Sequence, residues 1–176
     1  MEDNKISIRK ADLNDITLIE KISVDTFTET FAAQNTKEDM DLFLKECFNS
    51  EAIATEIKDL SISYYLAYYE GELAGYIKMK NGSDPGLKTQ KAIEISRIYV
   101  YNSFQGKKVG AALMQHAIDR AKNNGKDAIW LGVWELNPKA IDFYKRWGFE
   151  IFGEHVFRLG TDDQNDLLMC KYLNGK

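Results

Sequence analysis

The sequence predicts an α/β fold in which helices alternate with the strands of a mixed central sheet. Three observations carry this. A strand-like run at 92–100, a helical run at 107–123 and a strand-like run at 127–133 make a β-α-β unit, and a crossover helix makes its two strands parallel. Two further strand-like runs, 149–158 and 166–172, lie close in sequence and read as an antiparallel pair. The leading portion is helical and rich in Phe, and the character changes to β-rich at Ser63.

In chain order, Lys5-Ile6-Ser7-Ile8-Arg9-Lys10 alternates with period two and reads as the first strand. Asp12 caps a helix with apolar positions Leu13, Ile16, Ile19, Ile22 or Ser23, and Phe27. Thr36 with Asp39 three residues later resembles a capping box for a second helix through Phe48. Ser50 begins a third helix, with Ile53, Ile57 and Leu60 at helical spacing. Tyr64–Tyr69 and Leu73–Met79 are strands joined tightly at Glu70-Gly71-Glu72. Asn81–Gly86 is the strongest loop signal. Helix 107–123 has the apolar stripe Val109, Leu113, Ala117, Ala121 and ends at Asn124-Gly125. Pro138 opens a helix behind Asn137 as N-cap, and Gly148 closes it. The connection from Leu159 to Asn165 is polar and acidic.

The 176 residues are 44% hydrophobic, which suits one domain over 1–176 with a real core. The net charge of −4 argues against a nucleic-acid partner. No apolar run reaches the roughly 18 residues of a membrane span. The start Met1-Glu2-Asp3-Asn4 is acidic with no apolar segment behind it, and Cys47 and Cys170 match no CxxC pattern; both features point to a cytoplasmic chain. His116 and His155 lack metal-ligand spacing, so no metal is expected. No Ser-His-Asp or Cys-His constellation is visible, and the Gly loop lacks a GK[ST] ending.

The chemistry concentrates at about 92–149. Gln105-Gly106-Lys107-Lys108-Val109-Gly110 links a strand to a helix N-terminus, whose free N–H groups and dipole suit a diphosphate. Taken alone, this loop reads rather as an ordinary strand-to-helix turn with solvated lysines. Tyr144 shares a helix face with Asn137 and Ala140 or Ile141; alone it reads more commonly as a core aromatic, and Asn137 as a simple cap. Together the halves are specific. The ordered set Gln105-x-x-x-x-Gly110, a strand, Asn137-x-x-Ala140-x-x-x-Tyr144 and Gly148-Phe149 resembles the GNAT superfamily of acyl-CoA-dependent N-acyltransferases. The family's loop carries a Gly where this chain has Lys108, which is expected at negative φ in a first helical turn. Thr26-Phe27, Thr30-Phe31, Asn35–Met40, Ile129–Glu135, His155-x-Phe157-x-x-Gly160 and Gln164-x-Asp166 further resemble the bacterial PaiA-type spermidine/spermine acetyltransferases.

The resemblance implies a parallel strand pair splayed at Val100 and Val133, with acetyl-CoA in the gap as cosubstrate. Its diphosphate would lie on Gln105, Gly106, Lys107, Lys108, Val109, Gly110 and Ala111, and its pantetheine arm along Ile98, Tyr99 and Val100, with the Val100 N–H on the thioester carbonyl. Asn137 and Arg146 would complete the coenzyme site, Arg146 reading equally as a solvated charge. Tyr144 would serve the leaving thiolate as acid or hydrogen-bond donor. Glu94 would be the general base, and reads as readily as a carboxylate paired with Lys or Arg97. The implied acceptor is a small primary amine such as a polyamine, in a pocket built from helices 12–48, the 81–91 loop and the 159–165 turn. Glu29, Glu135, Asp162, Asp163 and the faces of Tyr99 and Tyr101 are its candidate cation sites. A protein lysine or N-terminal amine, an antibiotic amine, or a silent acyl-CoA-binding module are the alternatives. Both monomer and homodimer are compatible with the sequence.

Overall fold

The computed structural model describes residues 5–174; the acidic start Met1–Asn4 lies outside them. The elements are β1 (Ile6–Lys10), α1 (Ile16–Phe31), α2 (Lys37–Cys47), α3 (Ser50–Lys58), β2 (Ile62–Tyr69), β3 (Glu72–Asn81), β4 (Ala92–Val100), α4 (Val109–Asn123), β5 (Ala128–Trp134), α5 (Pro138–Arg146), β6 (Glu150–Leu159) and β7 (Asp162–Tyr172). Seven strands form one sheet in the order β1-β2-β3-β4-β5-β7-β6. Only β4 and β5 are parallel, as the crossover through α4 requires.

That parallel pair creates the site. It is joined only at Ala92↔Ala128, Ile93↔Ile129 and Glu94↔Trp130. Beyond Glu94 the strands separate while β4 stays paired to β3 as far as Val100, and β5 stays paired to β7 as far as Trp134. The sheet therefore opens in its middle without losing its outer ladders.

Each face of the sheet has its own core. Leu113, Met114, Ala117 and Ala121 of α4 pack on Ile77, Ile93, Ile129 and Met169. On the other face Ile19, Ile22 and Ile53 of α1 and α3 pack on Tyr64, Leu66 and Tyr76. Full burial of each such aliphatic side chain contributes roughly 1.5–3 kcal/mol. Gly75 lets β3 approach the end of β4, because a Cβ there would lie 2.7 Å from the Tyr99 carbonyl. No helix among the described residues is long and apolar enough to cross a membrane.

The local signals mostly operate as expected. Asp12 accepts the Asn14 N–H and, with Asp15, closes a capping box on a short 3₁₀ turn (Leu13–Asp15) that runs into α1. The Thr36 hydroxyl caps α2 by accepting the Asp39 N–H. Ser50 begins α3 as expected, with Asn49 as its N-cap. The last connection differs from expectation. Gly160, at φ +64°, and Thr161 turn the chain tightly, so 162–165 is strand rather than loop. Its inward residues are polar, which hid the period-two pattern.

Candidate active site

A cavity of about 700 Å³ fills the gap between β4 and β5. α1 is fixed over its β4 side by Tyr101 Oη donating to Asp25 (3.0 Å) and Asn102 N–H donating to Glu29 (2.9 Å). The α1–α2 connection is fixed over the other side. There Gln164 Nε2 donates to Asn35 (2.6 Å), and the Thr161 N–H and hydroxyl donate to Asp39 (2.6 and 2.7 Å). These bonds hold Asp39 below the usual carboxylate range.

At one end lies the start of α4. The first helical hydrogen bond is Ala112 N–H to Lys108 O, and no side chain caps the helix. The N–H groups of Lys108, Val109, Gly110 and Ala111 therefore have no intrahelical partner. Gly106, Lys108, Val109, Gly110 and Ala111 all line the cavity, together with Gln105, Lys139 and Arg146. Lys139 Nζ donates to Gln105 Oε1 at 2.5 Å. An uncapped helix start with three cations beside it suits a diphosphate.

Two expectations for this loop need correction. Lys107 does not line the cavity; its ammonium sits over the rings of Tyr69 and Phe104 at 4.8 and 4.9 Å. Lys108 is not in a first helical turn with negative φ but N-caps α4 in the left-handed conformation, at φ +64°. It thus adopts a glycine-like backbone at a cost of roughly 1–2 kcal/mol. Lys108→Gly is expected to raise unfolding stability by about 0.5–1 kcal/mol after the entropy cost of Gly, as denaturant melts at unchanged slope would read. The lost cation should also weaken binding of an anion at this helix start, less so in high salt.

In the middle, Ile98, Tyr99 and Val100 line the cavity from β4. The Tyr101 N–H bonds Ala74 O on β3 (2.9 Å). Alternation along an extended strand turns the Val100 N–H the opposite way, into the gap left by β5. From α5, Asn137 accepts the Ala140 N–H as N-cap and also borders the cavity. Tyr144, 8% exposed, reaches the same space, and burial alone pushes its phenol well above the ordinary range.

The far wall is aromatic. Phe27, Phe31, Phe43, Phe48, Tyr99 and Phe157 surround it, with Phe27 and Phe43 stacked at 4.5 Å. Two charged groups that sequence reasoning left without a role also face the cavity. Asp166 on β7, 9% exposed, is its only acidic residue among the described ones. Burial pushes the Asp166 carboxyl up to about 6, against the opposing influence of His155. His155 Nε2, on the half-exposed edge strand, lies 3.9 Å from Asp166 Oδ2. Both groups lie beside Gly132, where a Cβ would stand 3.4 Å from Asp166 Oδ2, an ordinary contact. Arg97 on β4 is the second group, beside Lys78.

The remaining candidates fall elsewhere. Glu94 does not line the cavity. It sits on the same sheet face, and burial raises its carboxyl against the pull of Lys80, Ser96, Lys78 and His155. Glu29 holds the Asn102 N–H, Glu135 and Asp162 accept from Asn165 and Gln164, and Asp163 meets Arg158 at 3.7 Å. None of the four lines the cavity, nor does Tyr101. The 81–91 loop packs at the opposite end of β4, where Leu87 meets Ala92, Ala128 and Cys170 and Gly82 O accepts Trp130 Nε1–H. His116 Nε2 is buried without a hydrogen-bond partner, its ring 4.5 Å from that of Tyr65.

Fold and site together define an acyl-CoA-dependent transferase class, and the comparisons agree. Residues 20–149 match the model of the Acetyltransferase (GNAT) family, and the chain belongs to that family. It is 38% identical over 153 residues to an uncharacterised N-acetyltransferase in the pepI 3′ region of Lactobacillus delbrueckii subsp. lactis, covering 86% of this chain and 88% of that one. It is 25% identical over 150 residues to a spermidine N(1)-acetyltransferase of Thermoplasma acidophilum, covering 83% and 89%. Among solved structures, the PaiA N-acetyltransferase of Thermoplasma acidophilum in complex with coenzyme A superposes at a TM-score of 0.76 with 23% identity, covering 95% of this chain and 98% of that one. That likeness establishes the shared fold.

Proposed function

We propose that the chain transfers an acetyl group from acetyl-CoA to a primary amine presented at Asp166. One observation carries this reading: the uncapped start of α4, the buried Tyr144 phenol and the Asp166 carboxylate all open into one cavity. When bound, the coenzyme supplies an activated acetyl thioester. The free N–H groups from Lys108 to Ala111 hold its diphosphate, with the charges of Lys108, Lys139 and Arg146 beside them. The exposed edge of β4 takes the pantetheine amides as an added strand would. The Val100 N–H, aimed into the gap, stabilises the oxyanion.

The amine must lose a proton before it attacks. An alkyl ammonium of pKa about 10.4 lies about 3.4 units above pH 7, so its neutral form costs roughly 4.6 kcal/mol. Asp166, raised toward neutrality, is a better base than an ordinary carboxylate, and His155 gives the proton a route to solvent. Glu94, raised by burial on the same sheet face, is the competing base and would act through water. Tyr144 stays protonated because burial lifts its phenol, so it holds the departing thiolate by a hydrogen bond.

A polyamine is the acceptor that the spermidine acetyltransferase relative suggests. Within the cavity Asp166 offers one site for an ammonium. A thiol-release assay with acetyl-CoA and a panel of amines, spermidine included, tests the reading. Acetyl-CoA binding without turnover on any amine would make the chain an acyl-CoA-binding module instead. In the same assay Tyr144→Phe is expected to keep acetyl-CoA affinity and lose about 10–100-fold in turnover. Unchanged turnover would remove Tyr144 from the chemistry.

A further inference from the structure

Besides Asp166, the cavity is lined by a guanidinium, that of Arg97. Arg97 projects from β4 with its side chain 15% exposed, its guanidinium 4.5 Å from the centre of the Phe48 ring. It carries five N–H donors. One is used, from Nη1 to the Tyr64 hydroxyl at 3.2 Å. The nearest carboxylate oxygen, Glu56 Oε2, is 3.9 Å away and already takes the Tyr64 hydroxyl. The other oxygen, Glu56 Oε1, takes Lys78 at 2.5 Å. Arg97 lines the cavity, and among the described residues no other protein acceptor meets its fork. Two cations, Arg97 and Lys78, thus line the cavity on this side, their Glu56 partner does not, and Asp166 lines it from β7.

β5 separates the strands that carry the two groups. Neighbouring strands lie about 4.8 Å apart, so the Arg97 and Asp166 backbones are roughly 10 Å apart, and more where β4 and β5 splay. Tyr99, two residues along β4 from Arg97, also lines the cavity. The phenylalanine wall around it is apolar. A polyamine laid across this space would place its second ammonium against Arg97 and Lys78.

Building on the acetyl-transfer reading, we propose that the acceptor is an amino-carboxylate. Its amine sits at Asp166, its apolar body crosses the Tyr99 ring, and its carboxylate is held by the open fork of Arg97. A planar guanidinium matches a carboxylate through two parallel hydrogen bonds.

The test compares kcat/KM for hexylamine, hexamethylenediamine, ε-aminocaproate and the methyl ester of ε-aminocaproate. The native protein is expected to prefer the acid over its ester by about tenfold or more, since a charged hydrogen-bonded pair is worth about 1.5–3 kcal/mol. In Arg97→Gln the acid-to-ester ratio should fall to about one. Arg97→Lys, which keeps the charge and the fold but not the fork, should retain part of it. Reading a ratio within each variant cancels any general loss of activity. A native ratio near one, a diamine preferred to the acid, or a ratio that survives in Arg97→Gln would overturn the proposal while acetyl transfer to hexylamine still stood. No transfer to any of the four amines would overturn the acetyltransferase reading, and this one with it.

Discussion

Asp166→Asn is expected to raise the stability of the fold at about pH 8 while removing most of its turnover. Burial moves this carboxyl from 3.8 to about 6. Each unit is worth 1.36 kcal/mol, so keeping the charge buried costs up to about 3 kcal/mol, less whatever His155 and water return. The folded value lies above the unfolded one, so the folded state binds the proton more tightly. The native protein is therefore penalised as pH rises through the interval from 3.8 to about 6, and the penalty is constant above it. Asn carries no charge to desolvate. The variant should unfold at higher denaturant than the native protein at about pH 8, with the advantage fading below about pH 4. Turnover should fall by about 10²–10⁴, the usual contribution of a positioned base. The acid limb of the native pH–rate profile, near pH 6, should vanish with it. A stabilised variant of undiminished activity would take the base away from Asp166. If Glu94→Gln instead lost activity mainly at low pH, Glu94 would be the base.

The elements that frame the α4 end of the cavity were legible because their signals are local. The loop from Gln105, the α4 start and the Asn137–Tyr144 helix each follow from residues adjacent in sequence, and the β-α-β rule then fixes which strands run parallel. The apolar stripe Val109, Leu113, Ala117 and Ala121 marked the buried face of α4 in the same way. The acceptor end was not legible, for a physical reason. Asp166 reaches the cavity only because β7 sits beside β5, and Arg97 only because a register irregularity opposite Lys78 and Met79 redirects β4. Both depend on contacts distant in sequence. The inward positions of β7 are Gln164 and Asp166, so the strand shows no apolar alternation where it is most functional. A signal existed in the Gln164-x-Asp166 tail of the family resemblance, but nothing local gave it a role. The left-handed Lys108 was unreadable for another reason. Gly is the expected residue there, and the chain tolerates the strain of a Lys.

Glu56→Gln is expected to be strongly destabilising for so conservative a change, costing about 3–5 kcal/mol. Glu56 Oε1 takes Lys78 Nζ at 2.5 Å, Oε2 takes the Tyr64 hydroxyl, and Arg97 stands 3.9 Å off. Burial would raise the Glu56 carboxyl, but the bonds from Lys78 and Tyr64 outweigh it and hold it below its ordinary range. The Lys78 and Arg97 side chains are 9% and 15% exposed. An amide in place of the carboxylate can still accept one hydrogen bond, yet it leaves two buried cations facing each other without a counter-charge. A cost of that size is a large share of the roughly 5–15 kcal/mol that holds a domain folded. Because the folded carboxyl is depressed, its contribution is present above the ordinary glutamate value and is lost as pH falls through the lower folded value. The gap between native protein and variant should therefore narrow in acid. Adding Lys78→Met should recover much of the loss, since the removed charge no longer needs a partner and an apolar side chain packs in its place. Denaturant melts of the two single variants and the double variant at neutral and acid pH would read this. Equal losses at both pH values, with no recovery in the double variant, would mean that Glu56 acts through packing and not through its charge.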